Sequence, residues 1–286
     1  TRFYFNRNAQ LKIEGSLHSS GAPGNPVIFR GSRLDEDYED IPGQWGGVYF
    51  TNSSTDNQLQ YTEIRNGVLG LRIGDYEPPD NDTGNPEIHL HNCMIKNMTY
   101  AGISACNAKI TAGNLIVANC GTHAVHLWNG GAYTFYHTTI ANYYQFSLRN
   151  EPSLFITNKV PFGNQNISDD MNVRFYNSIV YGYNQSEVEI GEKDENRALY
   201  YVFNHCLLKV NEDKLDLGNA AHFIDPIINE NPDFVSVEDQ DFQLDSVSIA
   251  IDKGDYQSAQ QYPLDYLQNN RLLDGEPDLG AYEKSK

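Results

Sequence analysis

An all-β parallel solenoid is the fold this sequence predicts, from a recurring strand phrase, its spacing, and a second column of residues in phase with it. The phrase reads Gly47-Val-Tyr-Phe50, Gly70-Leu-Arg-Ile73, Gly102-Ile-Ser-Ala105, Ala124-Val-His-Leu127, Gln145-Phe-Ser-Leu148 and Glu187-Val-Glu-Ile190. Its second and fourth positions are apolar and its third is free, a period of two that sends alternate side chains to opposite faces of a strand. The copies begin 23, 32, 22, 21 and 42 positions apart. Three of those intervals fit one turn of a stack of parallel strands, and the two longer ones leave room for inserted loops.

The second column is a strand later in each coil: Ile88-His-Leu-His-Asn92, Ile110-Thr-Ala-Gly-Asn114, Tyr133-Thr-Phe-Tyr-His137, Val173-Arg-Phe-Tyr-Asn177 and Tyr201-Val-Phe-Asn-His205. Ile95, Val117, Ile140, Val180 and Leu208 follow three residues on. Asn97, Asn119, Asn142 and Gly182 come two after those, with Asn66 matching one coil earlier. Asn tolerates a left-handed backbone and bonds its own chain, so it suits a tight corner. Stacking would set these amides in a column, each within reach of the next.

The elements follow in order. Residues 1–44 hold an entry coil, with Ala9–Gly15 and Pro26–Gly31 on either side of a Gly-rich turn at Gly21–Asn25. Residues 45–214 carry about six coils. Asp75–Pro86 and Ser153–Asp170, rich in Pro, Gly, Asn and Asp, read as loops leaving the stack. From Leu215 the period fades. Residues 215–286 are expected to cover the end of the solenoid, where an unpaired sheet edge would otherwise lie open.

Hydrophobic residues make up 40% of the 286, with 19 Tyr and 13 Phe, enough to fill a continuous core. Acidic residues number 38 against 20 basic, a net charge of −18 that argues against nucleic acid or an anionic membrane as partner. No apolar run approaches a bilayer span. The chain enters directly on strand-like alternation at Phe3 and Phe5, as expected of a mature or trimmed fragment. Cys93 and Cys206 share a phase but sit four coils apart, roughly 19 Å at ~4.8 Å per coil, beyond disulfide reach. Cys106 and Cys120 occupy different corners of one coil. All four are expected to be free and mostly buried.

The run Ile41-Pro-Gly-Gln-Trp-Gly-Gly-Val-Tyr49, the stretch Phe242–Gly254 and Pro277-Asp-Leu-Gly-Ala-Tyr-Glu283 carry a resemblance. They are similar to the bacterial cell-surface proteins of pectin-lyase-like fold, whose C-termini bear a "SPAIDAG…PDIGAYE" tail. Ile249 stands where that tail has Pro, and Lys253 where it has Ala. The resemblance implies a single-stranded right-handed parallel β-helix, an extracellular or cell-surface location and a polysaccharide as partner. Monomer is the favoured state. The group includes polysaccharide lyases and hydrolases, and its tail motifs look structural rather than catalytic.

A ligand face is expected where the third and fifth positions of the phrase point outward. One outward row is Tyr49, Arg72, Ser104, His126, Ser147, Glu189; the next is Thr51, Gly74, Cys106, Trp128, Arg149, Gly191. Trp128, His126, Arg149 and Arg72 would then lie close together, with Asp75 leaving from the same face. Two readings of Trp128 stand: an open sugar platform flanked by donors, or a ring buried under a loop such as Ser153–Asp170. A glycosidase needs two carboxylates ~5–10 Å apart, and across the three coils around Trp128 the outward rows hold no Asp or Glu. Lyase chemistry needs a base and a cation, roles that His126 and Arg149 or Arg72 can fill on an acidic glycan. The leading expectation is a non-catalytic module that binds carbohydrate or presents a surface; the lyase is the alternative. Calcium is a candidate cofactor on Asp80, Asp82 and Glu87, whose hard oxygens alternate around a Gly, against the plain reading of a solvated loop. His89 and His91 share an outward face but find no third zinc ligand.

Overall fold

The computed structural model describes residues 1–75 and 84–284. Among them the regular structure is nearly all strand, with one short α-helix, Tyr256–Ala259, and one 3-10 turn, Glu36–Tyr38. No helix there is long and apolar enough to cross a membrane. The strands form long parallel sheets, an arrangement consistent with a parallel β-helix, and each pass of the chain supplies one strand to each of three ladders.

The first ladder runs from Arg2–Phe5 through Val27–Gly31 and Thr62–Arg65 to Ile227–Ile228, a nine-stranded parallel sheet. The second joins Gln10–Ile13, Gly47–Phe50, Leu71–Ile73, Leu154–Thr157 and Val188–Ile190. The third includes Asn57–Gln60, Glu87–His91, Met171–Tyr176 and Leu199–Asn204. Two long strands, Ile103–Gly113 and Val125–Tyr136, belong to both and fuse them into one thirteen-stranded sheet. Val48, Leu71, Ile103, Val125, Leu154 and Val188 pair in a single inward row. On the third ladder Phe135, Phe175, Phe203 and Phe223 stack nearly parallel, with centroids 4.5, 5.4 and 5.7 Å apart. That apolar column fills the interior continuously, so burial is shared between passes and no single pass can bury its face alone.

The corner after the third ladder is left-handed in seven successive passes. Tyr61, Asn92, Asn114, His137, Asn177, His205 and Asp225 all have φ between 44° and 53°. This conformation is uncommon outside Gly, and Asn, Asp and His are the side chains that adopt it most readily. Asn114 Nδ2 donates to Asn92 Oδ1 at 2.8 Å, and Asn177 Nδ2 lies 3.2 Å from His137 Nε2. The other corner differs from the expectation. Asn66, Asn97 and Asn119 are left-handed there, but Asn119 and Asn142 accept from the backbone N–H of Tyr143 and Cys120 at 3.2 and 2.9 Å. Amide-to-amide bonding is therefore found at the corner after the third ladder, between Asn114 and Asn92.

One copy of the phrase is not a strand. Gln145–Leu148 leaves the stack, and Leu154–Thr157 takes its place, with His126 opposite Phe155 and Trp128 opposite Thr157. Phe146 and Leu148 are 50% and 96% exposed. A buried ion pair holds the detour: Arg149 Nη2 and Nη1 meet Glu187 Oε1 and Oε2 at 2.6 and 2.8 Å, and Ser153 donates to Glu187 through N and Oγ. Removing either partner leaves a desolvated charge, a cost of about 3–5 kcal/mol.

The stretch after Leu215 divides its work. Leu215 and Leu217 pack on the core cluster where the second ladder has run out. Most of the remainder lies along the outer side of the first ladder instead of across the end. There Phe242 and Ala281 pack on Ile116, Ala118 and Ala141, and Leu244, Ala250 and Leu279 on Ile179 and Leu207. Asn177 bonds Asp255 twice, at 2.7 and 2.9 Å, and Asn114 Nδ2 donates to Leu264 O at 2.8 Å. Fully buried Arg271 donates to Asn114 Oδ1 at 3.2 Å and pairs with Glu283 at 3.2 Å. Gly113 admits this packing because the Tyr262 ring occupies the space of a Cβ, which would come within 2.1 Å of it. All four cysteines are free and buried.

Burial, with the neighbouring Asp278 carboxylate, pushes Glu283 up to about 7. A carboxyl raised on folding favours the native state in acid, and that contribution drains away as pH rises from ~4.5 to ~7. Glu283→Gln is expected to remove this slope. Thermal unfolding of both proteins across that window checks it: their difference should grow with pH, and parallel profiles would contradict the assignment.

Candidate ligand-binding site

The face built from the second ladder is partly closed. Its outward row is Tyr49, Arg72, Ser104, His126, Phe155, Glu189, so Phe155 stands where Ser147 was expected. Trp128 is only 8% exposed. Its indole N–H donates to Ser104 Oγ at 3.2 Å, and its ring stacks on His126 at 6.0 Å. Phe155 lies 5.4 Å from both His123 and His126. The hairpin Lys159–Phe162/Gln165–Ser168 contacts the strand that carries Trp128. Of the two readings of Trp128, the buried one fits its low exposure, and the stretch Ser153–Asp170 supplies both the neighbouring strand and the hairpin.

These neighbours disable His126 as a base. Burial first, and repulsion from His123 second, push it down to about 3, and its Nδ1 is buried with no hydrogen-bond partner. A general base works best near the operating pH, so an imidazole held this far below it is a poor one. Arg149 is not on the face at all, because Glu187 holds it elsewhere. Arg72 remains open, its guanidinium 4.4 Å above the Tyr49 ring and 3.8 Å from Asp75. It lies two strands from His126, about 10 Å at the usual ladder spacing. The structure thus groups Arg72 with Asp75 and His126 with Trp128, and separates Arg149 from both. Of the calcium candidates, Asp80 and Asp82 lie outside the described residues, and Glu87 sits 3.6 Å from His89.

An open cleft of 640 Å³ lies on the first ladder, between its later strands and the tail, lined by Tyr143, Tyr181, Tyr183, Lys209 and Phe234 among others. Tyr181 lies on the strand Ile179–Gly182, and Tyr183 follows in the bend just past its end. Tyr183 is 55% exposed and meets Tyr143 edge-to-face at 5.0 Å. Lys209 Nζ sits 4.7 Å over the Tyr181 ring and donates to Gly182 O at 2.8 Å. The strand Phe234–Ser236, paired antiparallel with Asp241–Leu244, forms the far wall. Rigid rings with polar groups at their edges suit a ligand that has both C–H faces and hydroxyls. A Tyr-x-Tyr was the available sequence signal; the wall from residue 234 onwards had none.

No family model, curated protein or solved structure matches the chain.

The ring protons of His126 are expected to show no titration step between pH 5 and 8. In Phe155→Ala the step should return towards the ordinary imidazole value near 6.5. Proton NMR of the intact protein reads both, and a native step near 6.5 would contradict the closed face.

Proposed function

We propose that this chain is a single-stranded right-handed parallel β-helix of the pectin-lyase-like kind, exported to or carried on a bacterial cell surface. Its work is to bind carbohydrate without transforming it. The parallel ladders support the fold, and the tail residues behind the family resemblance act structurally, since Leu279 and Ala281 pack on the first ladder. The observation that carries the binding reading is the open tyrosine cleft. It offers exposed aromatic surface, with amine, carboxylate and carbonyl groups around it, on a rigid stack. The lyase reading finds no support in the geometry, because His126 is too weak a base and Arg149 is committed to Glu187.

Calorimetry of the intact protein against a panel of neutral, amino and acidic oligosaccharides tests the reading. Tyr183→Ala removes the most exposed ring and is expected to weaken binding by roughly tenfold, the worth of one stacking contact. Trp128 lies away from the cleft, so Trp128→Phe should leave binding unchanged. Undiminished binding by Tyr183→Ala, or its loss in Trp128→Phe, would move the site.

A further inference from the structure

Beside the tyrosine cleft lies a second, polar cleft of 600 Å³. Tyr183 lines the first and Asn184 the second; Lys209 lines the first and Val210 the second. The two clefts neighbour one another at these adjacent residues, and together they are taken as one trough.

The charge along this trough is one-sided. Asp233, Glu238 and Asp245 line the tyrosine half, and Glu189, Glu212 and Asp213 the polar half. Of the basic lining residues, Arg149 is matched by buried Glu187, which leaves Lys209 and Lys214 against six carboxylates. Lys214 lies 3.8 Å from Glu189. Lys209 is held at the wall by Tyr181 and Gly182, a contact in which a tyrosine face already accepts an ammonium group. The chain's charge of −18 adds to the same field.

Three classes of sugar would fare differently here. A uronate brings like charge into an acidic trough. A neutral or N-acetylated sugar gains ring stacking and hydroxyl bonds alone. A sugar bearing a free ammonium gains those contacts, the attraction of the carboxylates and a cation–π contact with an exposed ring.

We infer that the trough selects glycans built of hexosamine units with free amino groups over their N-acetylated and uronic counterparts. The inference rests on the carbohydrate-binding reading above and sharpens it to one substrate class. Exposed ion pairs are each worth only about a two- to fivefold change in affinity, so selectivity comes from several acting together.

The test is calorimetry of the intact protein with glucosamine, N-acetylglucosamine and galacturonate oligomers of equal length, at low salt and at ~0.5 M salt. At low salt the glucosamine oligomer should bind roughly tenfold tighter than the N-acetylated one, and high salt should close that gap. Glu238 is exposed, so Glu238→Gln should fold normally. It should weaken the glucosamine oligomer about two- to fivefold and leave the N-acetylated one unchanged. Equal or tighter binding of the N-acetylated or uronic oligomer overturns the inference while carbohydrate binding stands. Binding of none of the three overturns both.

Discussion

The left-handed corner after the third ladder is the constraint on which the rest of this structure depends. The first-ladder strand Met94–Met98 begins two residues after Asn92, and the equivalent strands follow Asn114, His137 and Asn177 just as closely. A turn this tight keeps successive passes in register without slack, and register decides which side chain faces the interior. Phe135, Phe175 and Phe203 can stack only because their passes turn at the same point. The same corner supplies the polar side chains that bind the tail, so Asn114 and Asn177 fix the stack and its covering segment together.

Buried charge is used where the chain leaves that regular path. Arg149 and Glu187 hold the detour before Leu154, and Arg271 with Glu283 holds the tail on the corner column. Such pairs are costly to desolvate and contribute little net stability against an apolar alternative. Their effect is to make any other placement of the segment worse, because a half-made pair leaves an unmatched buried charge. Each joins residues that no strand pairing connects, which suits segments that have lost the repeat.

Much of the fold was legible because periodicity reports local strand geometry directly. Five copies of the opening phrase and all five of the second column fall in register. The Gln145 copy misled because Phe146 and Leu148 carry the same alternation as Leu154 and Ile156, eight residues later. Local pattern could not choose between them; the deciding contact was Arg149 with Glu187, 38 residues away. That error carried into the candidate site, placing Ser147 and Arg149 on a face where Phe155 and Thr157 stand. The tyrosine cleft was hidden for a related reason, since its walls come from separate passes and from the aperiodic tail.

The strand face that carries Trp128 is closed and the cleft beside Tyr183 is open, and the proposed carbohydrate binding rests on that contrast. Quenching of tryptophan fluorescence by acrylamide tests this directly, because the chain has only two tryptophans, Trp45 at 0% and Trp128 at 8% exposure. Neither is expected to be quenched appreciably in the native protein, and both should become accessible on unfolding. Strong native quenching that disappears in Trp128→Phe would contradict this, for it would show the Trp128 face open to solvent.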